Sequence, residues 1–258
     1  MTVVAVSLVK NEIDVIETTI LHMATQVDQV VVADNGSTDG TRELLEQLPC
    51  EVLDDTDPAY YQSRKMTALA SYAHQIYDAT WIVPFDADEI WTATGSGTVA
   101  ERLQFMTERV APAWLYDHVV TDTDPAGLPP QQAMGHRMRV RTPLHKVACR
   151  MVPGMVIEMG NHQVTYPDTE SPSVRFDQLE VRHFPIRSPQ QYLRKATQGA
   201  AALALTDLDE STGRHWRDWN RMVTEHGEQA LTDAFLDHWF YRHDDPRLVF
   251  DPAPLGHL

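Results

Sequence analysis

The sequence is poor in cysteine, and it lacks long apolar runs. Only two cysteines occur in 258 residues, Cys50 and Cys149. They form no CxxC pair, so nothing suggests a disulfide framework or a cysteine-based zinc site, and we expect a reducing, cytoplasmic location. No apolar run approaches the ~20 residues that span a bilayer. The apolar start at residues 3–9 lacks a basic flank and a cleavage site. We therefore expect neither a signal peptide nor an integral membrane segment.

Basic residues are also scarce. The 21 lysines and arginines face 37 acidic residues, which gives a net charge of −16. This balance argues against a nucleic-acid partner and against docking on an anionic membrane surface. An acidic protein that binds a phosphate ligand needs local neutralisation, and a divalent cation held by carboxylates would supply it.

Apolar, β-branched segments alternate with helical patterns over the first 90 residues. This alternation predicts a parallel sheet with helical crossovers. Asn11 is predicted to cap the first helix, with Asp14 in its first turn. The predicted strands cover residues 3–9, 29–33, 51–54 and 81–85, and the later helices of this half cover 42–48 and 58–77.

The second half has a different pattern, which predicts a mixed or antiparallel sheet. Ser188 opens a predicted capping box with Pro189 at the first helical position, and the helix runs to about residue 205. The tail at 213–242 is helical and aromatic, and we expect its tryptophans to pack a helix onto the domain. A helix is predicted at 98–110 and strands at 113–121, 137–140, 145–151, 155–158 and 179–184.

Acidic residues follow two of the predicted parallel strands. Asp34 ends the second strand, and Asp86, Asp88 and Glu89 follow the fourth. The carboxyl ends of parallel strands lie on one edge of a sheet, where ligands bind in open α/β folds. Carboxylate oxygens suit Mg²⁺ or Mn²⁺. These acids also occur commonly as turn and capping residues, so the pattern alone leaves both readings open.

Three segments together resemble glycosyltransferase family 2 of the GT-A fold. They are Lys10-Asn11-Glu12, the loop from Asp34 to Thr41, and Phe85-Asp86-Ala87-Asp88-Glu89, in matching order and spacing. Gly160-Asn161-His162 and the segment at 183–188 look like a subgroup of this family. The resemblance implies a nucleotide-diphosphate sugar donor, a divalent metal (Mn²⁺ or Mg²⁺) and transfer of the sugar to an acceptor hydroxyl.

The resemblance also implies an α/β fold with a Rossmann-like, mostly parallel sheet and flanking helices. We assign residues 1–187 to a GT-A domain, with a nucleotide-binding half at 1–90 and an acceptor half at 91–187. Residues 188–258 form a predicted helical C-terminal extension. A UDP-sugar donor is favoured, and the acceptor is a small molecule, a glycan or a protein. A homodimer is consistent with the sequence.

Site roles follow from the resemblance, residue by residue. Asp34 matches the family aspartate that accepts a hydrogen bond from the donor's base. Asp86 and Asp88 match the acids of the DxD motif, which lie near the ribose and the metal, and His183 matches a further metal ligand. Arg64 and Lys65 are candidates for holding the diphosphate; the alternative is a solvated face, which is slightly favoured for Arg64. The remaining predicted donor-site residues are Val9, Asn11, Glu12, Gly36 and Ala87.

The general base does not carry over from the family. Inverting members use a carboxylate in a later acidic pair, and this sequence shows no clear Glu-Asp pair there. We expect inversion, with Glu158 or His162 as the catalytic base and Asp177 as a further candidate. A lone histidine in a turn, such as His162, is more often structural.

Three other functions are weighed against this one. A nucleotidyltransferase would carry a basic, glycine-rich loop after Val9, and a Rossmann oxidoreductase would carry GxGxxG there; both motifs are absent. A non-catalytic sugar- or partner-binding module would be expected to have a decayed site. The intact residues Asp34, Asp86, Asp88 and His183 argue against that decay.

Overall fold

A computed structural model describes residues 1–168 and 172–255 of the chain. Fourteen strands and eight α-helices lie in this part, with a short 3-10 turn at Met159–Asn161. The strands are β1 (Thr2–Val9), β2 (Gln29–Asp34), β3 (Glu51–Asp54), β4 (Ala79–Pro84), β5 (Glu89–Ala93), β6 (Val110–Asp117), β7 (Val120–Thr121), β8 (His136–Met138), β9 (His145–Arg150), β10 (Val156–Ile157), β11 (Val164–Thr165), β12 (Leu179–His183), β13 (Phe240–Tyr241) and β14 (Leu248–Phe250). The helices are α1 (Ile16–Gln26), α2 (Thr41–Leu45), α3 (Gln62–Tyr77), α4 (Val99–Gln104), α5 (Pro130–Ala133), α6 (Pro189–Leu203), α7 (Arg214–His226) and α8 (Glu228–His238).

Eight of the strands form one sheet in the order β3-β2-β1-β4-β9-β6-β12-β5. The first four of these strands are parallel, and so are β6 and β12. Strand β9 runs antiparallel to both of its neighbours, and β5 runs antiparallel to β12. The predicted α/β fold with a mostly parallel sheet and a mixed second half is therefore confirmed.

Strand β1 lies at the centre of the sheet formed by residues 1–90. Its residues Val3 to Val6 are fully buried because helices cover both faces of the sheet. Ile16, Ile20 and Met23 of α1 pack on one face, and Met66 of α3 packs on the other. The parallel register pairs Val9 with Asp34, so the acids that follow β2 and β4 meet at one edge of the sheet.

Two predicted helix starts are wrong. Asn11 does not cap α1, because that helix begins only at Ile16. The backbone of Asn11 has a φ of 55°, and its side-chain oxygen accepts a hydrogen bond from Thr38 N at 2.7 Å. Asn11 therefore links the loops after β1 and β2. Helix α3 begins at Gln62 rather than at residue 58, after a turn in which Tyr61 N donates to Ala59 O.

The second half also differs from the prediction in detail. The helix expected at 98–110 ends at Gln104, and strand β6 already begins at Val110. Strand β5 was not predicted. Ser188 accepts a hydrogen bond from Gln191 N, as expected of a helix cap. The Gln191 side chain instead accepts from Arg187 N, so the reciprocal half of the capping box is absent.

The C-terminal extension packs its three helices around a small apolar core. Tyr192, Leu231 and Phe235 are buried there, with Trp219 and Trp239 against them. Two strands of the extension also pair with residues 91–187, because β13 pairs with β7 and β14 pairs with β8. Residues 256–258 of the predicted extension lie outside the described residues. No helix in the described part of the chain is long and apolar enough to cross a bilayer.

Candidate active site

A cavity of about 410 Å³ opens at the carboxyl ends of β1 and β4. Its walls are formed by Val9, the loop that follows β1 and the residues that follow β4, together with residues of α6 and α7 in the extension. The predicted donor-site and base residues that line it are Val9, Asn11, Glu12, Lys65, Asp86, Ala87, Asp88, His162 and His183.

Asp34 lies beneath this lining, next to Asn35. Its Oδ2 accepts a hydrogen bond from Ser37 N at 3.1 Å. Its Oδ1 is buried and has no hydrogen-bond partner among the described residues. Asn35 lines the cavity, and its amide donates to Asp55 Oδ2 at 2.8 Å and to Asp57 O at 2.6 Å. Burial of an unsatisfied acceptor is costly, so Asp34 Oδ1 is left without the N–H donor that would satisfy it.

Asp86 is bonded on both of its oxygens within the protein. Its Oδ2 lies 2.5 Å from Lys146 Nζ, and its Oδ1 accepts from Asn161 at 3.2 Å and from Gln62 at 3.4 Å. Asn161 reaches Asp86 from a turn in which it adopts a φ of 58°. The carboxylate is thereby held in one orientation at the cavity wall.

Lys146 is a buried cation on β9 that binds two carboxylates. Its Nζ lies 2.8 Å from Glu89 Oε1 as well as 2.5 Å from Asp86, and its side chain is only 4% exposed. Glu89 is completely buried, and its other oxygen accepts from Trp91 Nε1 and Asp86 N. Burial raises the pKa of Glu89, and the charge of Lys146 partly offsets that rise.

Asp88 presents its two oxygens to different partners. Its Oδ1 lies 3.8 Å from His183 Nε2, and its Oδ2 lies 2.8 Å from Lys195 Nζ. Arg187 NH1 approaches Oδ2 at 3.6 Å. Burial opposes ionisation of Asp88, but the charges of Lys195, His183 and Arg187 outweigh it and hold its pKa well below the usual range.

His183 is oriented by a carboxylate behind it. Its Nδ1 lies 2.7 Å from Asp117 Oδ1, so the Nδ1 proton is donated there and Nε2 faces Asp88. Burial disfavours a charged imidazole, yet the carboxylates of Asp88 and Asp117 outweigh that effect and raise the pKa of His183. A carboxylate behind a histidine is the usual support for a metal-binding imidazole.

The acids of the site fit a metal that shares its coordination with a substrate. Among the described residues, no three His, Cys, Asp or Glu side chains come together as a metal site. Asp88 Oδ1 and His183 Nε2 offer two ligands, and Mg²⁺ is commonly held by one or two carboxylates together with substrate phosphates and water. Both oxygens of Asp86 are bonded within the protein, whereas Asp88 Oδ1 faces His183 Nε2, and this difference favours Asp88 and His183 over Asp86 as the ligands.

Five predicted site residues do not line the cavity. Asp34 and Gly36 are absent from its lining, and Asp177 accepts a hydrogen bond from Trp114 Nε1 at 3.1 Å outside it. Arg64 is 64% exposed and pairs with Asp57 at 2.5 Å, as expected of a solvated face. Glu158 accepts a hydrogen bond from Thr165 at 2.7 Å on the β10–β11 hairpin, so its position gives the role of base no support.

Three further residues of the site, Lys146, Arg187 and Lys195, were not predicted from the sequence. Arg187 is buried and joins Glu12 at 2.5 Å, Asp14 at 2.7 Å and Asp88 at 3.6 Å. A lysine inside the apolar strand β9 was a signal for a buried ion pair, because lysine is almost never fully buried unless it is paired. No local pattern distinguished Lys195 from other helical lysines.

Basic residues outnumber acidic ones around the cavity, in a chain whose net charge is −16. Among the described residues, Lys10, Lys65, Lys146, Arg194 and Lys195 line it, against Glu12, Asp86 and Asp88. A cleft with an excess of one sign of charge attracts ligands of the opposite sign. The cavity is therefore suited to an anionic ligand, although the protein as a whole is acidic.

Comparison with known families identifies the chain. The sequence model of glycosyl transferase family 2 matches residues 5–157, which is more than half of its length. The chain belongs to glycosyl transferase family 2. As an enzyme of this family it is a glycosyltransferase, and the match includes the loops after β1, β2 and β4 as well as Lys146 on β9.

Solved structures also resemble this family 2 glycosyltransferase. TarS 1–349 of S. aureus in complex with UDP matches with a TM-score of 0.40 and 12% identity, over 88% of this chain and 73% of that one. Glucosyl-3-phosphoglycerate synthase of Mycobacterium tuberculosis, in complex with Mn²⁺, UDP and glucosyl-3-phosphoglycerate, matches with a TM-score of 0.32 and 19% identity over 44% of each chain. No curated protein matches the sequence.

We predict that Lys146→Met destabilises this glycosyltransferase by about 3–5 kcal/mol, because it leaves the buried Glu89 carboxylate without its counter-ion. Urea unfolding followed by tryptophan fluorescence measures the loss. The double variant Lys146→Met/Glu89→Gln removes both charges and is expected to recover most of the stability. Equal losses in the single and double variants would contradict this role of the ion pair.

Proposed function

We propose that the enzyme transfers a sugar from a nucleotide-diphosphate sugar, with UDP favoured, to an acceptor hydroxyl, assisted by Mn²⁺ or Mg²⁺. The observation that carries the proposal is the position of Asp88 in the cavity, between the oriented imidazole of His183 and the ammonium of Lys195. Because the chain belongs to glycosyl transferase family 2, the alternative functions as a nucleotidyltransferase or an oxidoreductase have no support. A cytoplasmic location and a homodimer remain predictions.

Recognition of the donor's base is assigned to Asp34. Its buried Oδ1, which has no hydrogen-bond partner in the described part of the chain, requires an N–H donor, and uracil offers one at N3. Asn35 and Lys65 form the adjoining wall, where Lys65 Nζ lies 2.6 Å from Asp55 Oδ2 and also contacts Asp57 O. These side chains are fixed before the donor arrives, which reduces the entropic cost of binding.

The diphosphate and the metal are assigned to the region of Asp88. Asp88 Oδ1 and His183 Nε2 would hold the cation, which when bound stabilises the negative charge of the departing nucleoside diphosphate. Asp86 keeps its orientation through Lys146 and Asn161, and its carboxylate is suited to accept hydrogen bonds from the ribose. In this proposal Asp88 and His183 hold the metal at the diphosphate, and Asp86 binds the ribose.

The general base is assigned to His162, and with it an inverting reaction. Its Nδ1 lies 2.7 Å from the carbonyl oxygen of His145, which can only accept a hydrogen bond. The proton of the neutral ring therefore sits on Nδ1, and Nε2 carries the free lone pair. Burial, reinforced by the charge of Lys146, lowers the pKa of His162, so the ring is neutral and able to accept a proton at pH 7.

We predict that Asp34→Ala lowers the affinity for UDP by about 10- to 100-fold, the value of one hydrogen bond to a charged group. Calorimetric titrations with UDP, GDP and dTDP, with and without Mn²⁺, measure this loss. Asp54→Ala, at the exposed end of the neighbouring strand β3, is the matched control and is expected to bind UDP like the wild type. Unchanged UDP affinity in Asp34→Ala would reject its role in base recognition.

We predict that His162→Gln lowers kcat by about 10²- to 10⁴-fold and leaves UDP affinity unchanged, since a general base acts only in the transition state. The wild-type rate is expected to fall at acidic pH, with an apparent pKa below the ordinary value of about 6.5. This fall in rate at acidic pH is expected to disappear in His162→Gln. If the variant still shows the same fall, the base is another group.

A further inference from the structure

Lys195 reaches the cavity from the C-terminal extension. It lies on α6, outside residues 5–157 that the family model matches. Its Nζ donates to Asp88 Oδ2 at 2.8 Å and to the carbonyl oxygen of Pro185 at 3.1 Å. An ammonium group has three donors, so one N–H of Lys195 remains for a further partner. Its side chain is 22% exposed and lines the cavity.

Asp88 does not depend on Lys195 alone for charge compensation. Arg187 also approaches its Oδ2, and the Arg187 side chain is 1% exposed and held by Glu12 and Asp14. Arg187 is therefore a fixed counter-ion within the protein. Lys195 differs because its flexible stem enters the cavity and can exchange a protein acceptor for a ligand acceptor at little cost.

We propose that Lys195 binds the diphosphate of the donor and donates a hydrogen bond to the β-phosphate oxygen as the glycosidic bond breaks. This inference rests on the proposed function and adds a catalytic residue to it. The extension would then contribute to the chemistry as well as to packing. Lys195 would act as a second cation beside the Asp88–His183 pair, on the opposite side of the Asp88 carboxylate.

The charge balance of the reaction explains the need for this cation. The bond between the sugar's anomeric carbon and the β-phosphate oxygen breaks, and its electron pair leaves with the phosphate. The acceptor oxygen forms the new bond to the anomeric carbon, and its proton passes to the general base. The nucleoside diphosphate gains one negative charge, and Lys195 stays protonated while it stabilises that charge by a charge-assisted hydrogen bond.

Binding experiments separate this role from a purely structural one. We would titrate wild type, Lys195→Met and Lys195→Arg with uridine and with UDP, in EDTA to remove metal. Lys195→Met is expected to lose about 10- to 100-fold in UDP affinity, the range for one hydrogen bond to a charged group, and to bind uridine like the wild type. Lys195→Arg is expected to retain most of the UDP affinity because it keeps the charge.

The affinity for Mn²⁺ provides a second measurement, and we expect it to change in the opposite direction to the UDP affinity. Lys195→Met removes a cation that lies 2.8 Å from Asp88, so the affinity of the ligand-free protein for Mn²⁺ is expected to rise. Titration followed by the electron paramagnetic resonance of free Mn²⁺ measures it. Arg221→Met removes a 62% exposed cation of the same extension and is expected to change neither affinity.

Different results would overturn different parts of the account. Wild-type UDP affinity in Lys195→Met would overturn the role of Lys195 and leave the proposed function intact. Equal losses of uridine and UDP affinity, together with weaker Mn²⁺ binding, would show that Lys195 only supports the fold of the site. A wild-type protein that binds neither uridine nor UDP, in Mn²⁺ as well as in EDTA, would overturn the proposed function and this inference together.

Discussion

The structure of the site depends on the compensation of three carboxylates at the end of β4. Asp88 and Glu89 are buried, and buried charges are stable only when they are paired and hydrogen-bonded. Their cations come from segments far away in sequence: Lys146 from β9, Arg187 from the segment before α6, and Lys195 from α6 itself. These ion pairs join residues 1–90, residues 91–187 and the C-terminal extension at one site.

The same arrangement explains how an acidic protein can bind an anionic donor. Most of the acidic residues lie away from the cavity, and the cavity itself has an excess of basic side chains. A cleft of this kind concentrates the field of its own charges, and the field outside is screened by salt over about 8–10 Å. The local balance of charge therefore governs donor binding, and the net charge governs solubility and the choice of macromolecular partners.

The first 90 residues were the most predictable part of the chain because their signals are local. Apolar runs and turn residues gave the parallel strands, and three loop motifs gave the family. Asn11 was misplaced because its side chain bonds to Thr38 of another loop, a contact that helix-capping rules do not contain. Lys146 and Lys195 were missed because their partners lie 60 and 107 residues away in sequence. Ion pairs of this kind are set by tertiary structure.

Release of UDP from UDP-sugars tests the central claim most directly. Wild type and Asp88→Asn would be incubated with a panel of UDP-sugars, with Mn²⁺ and with EDTA, and free UDP would be measured over time. We expect that the wild type releases UDP only with Mn²⁺ and that Asp88→Asn releases none, with both proteins equally folded by circular dichroism. Equal release by the two proteins, or wild-type release that is unaffected by EDTA, would contradict the assignment of Asp88 to the metal and the diphosphate.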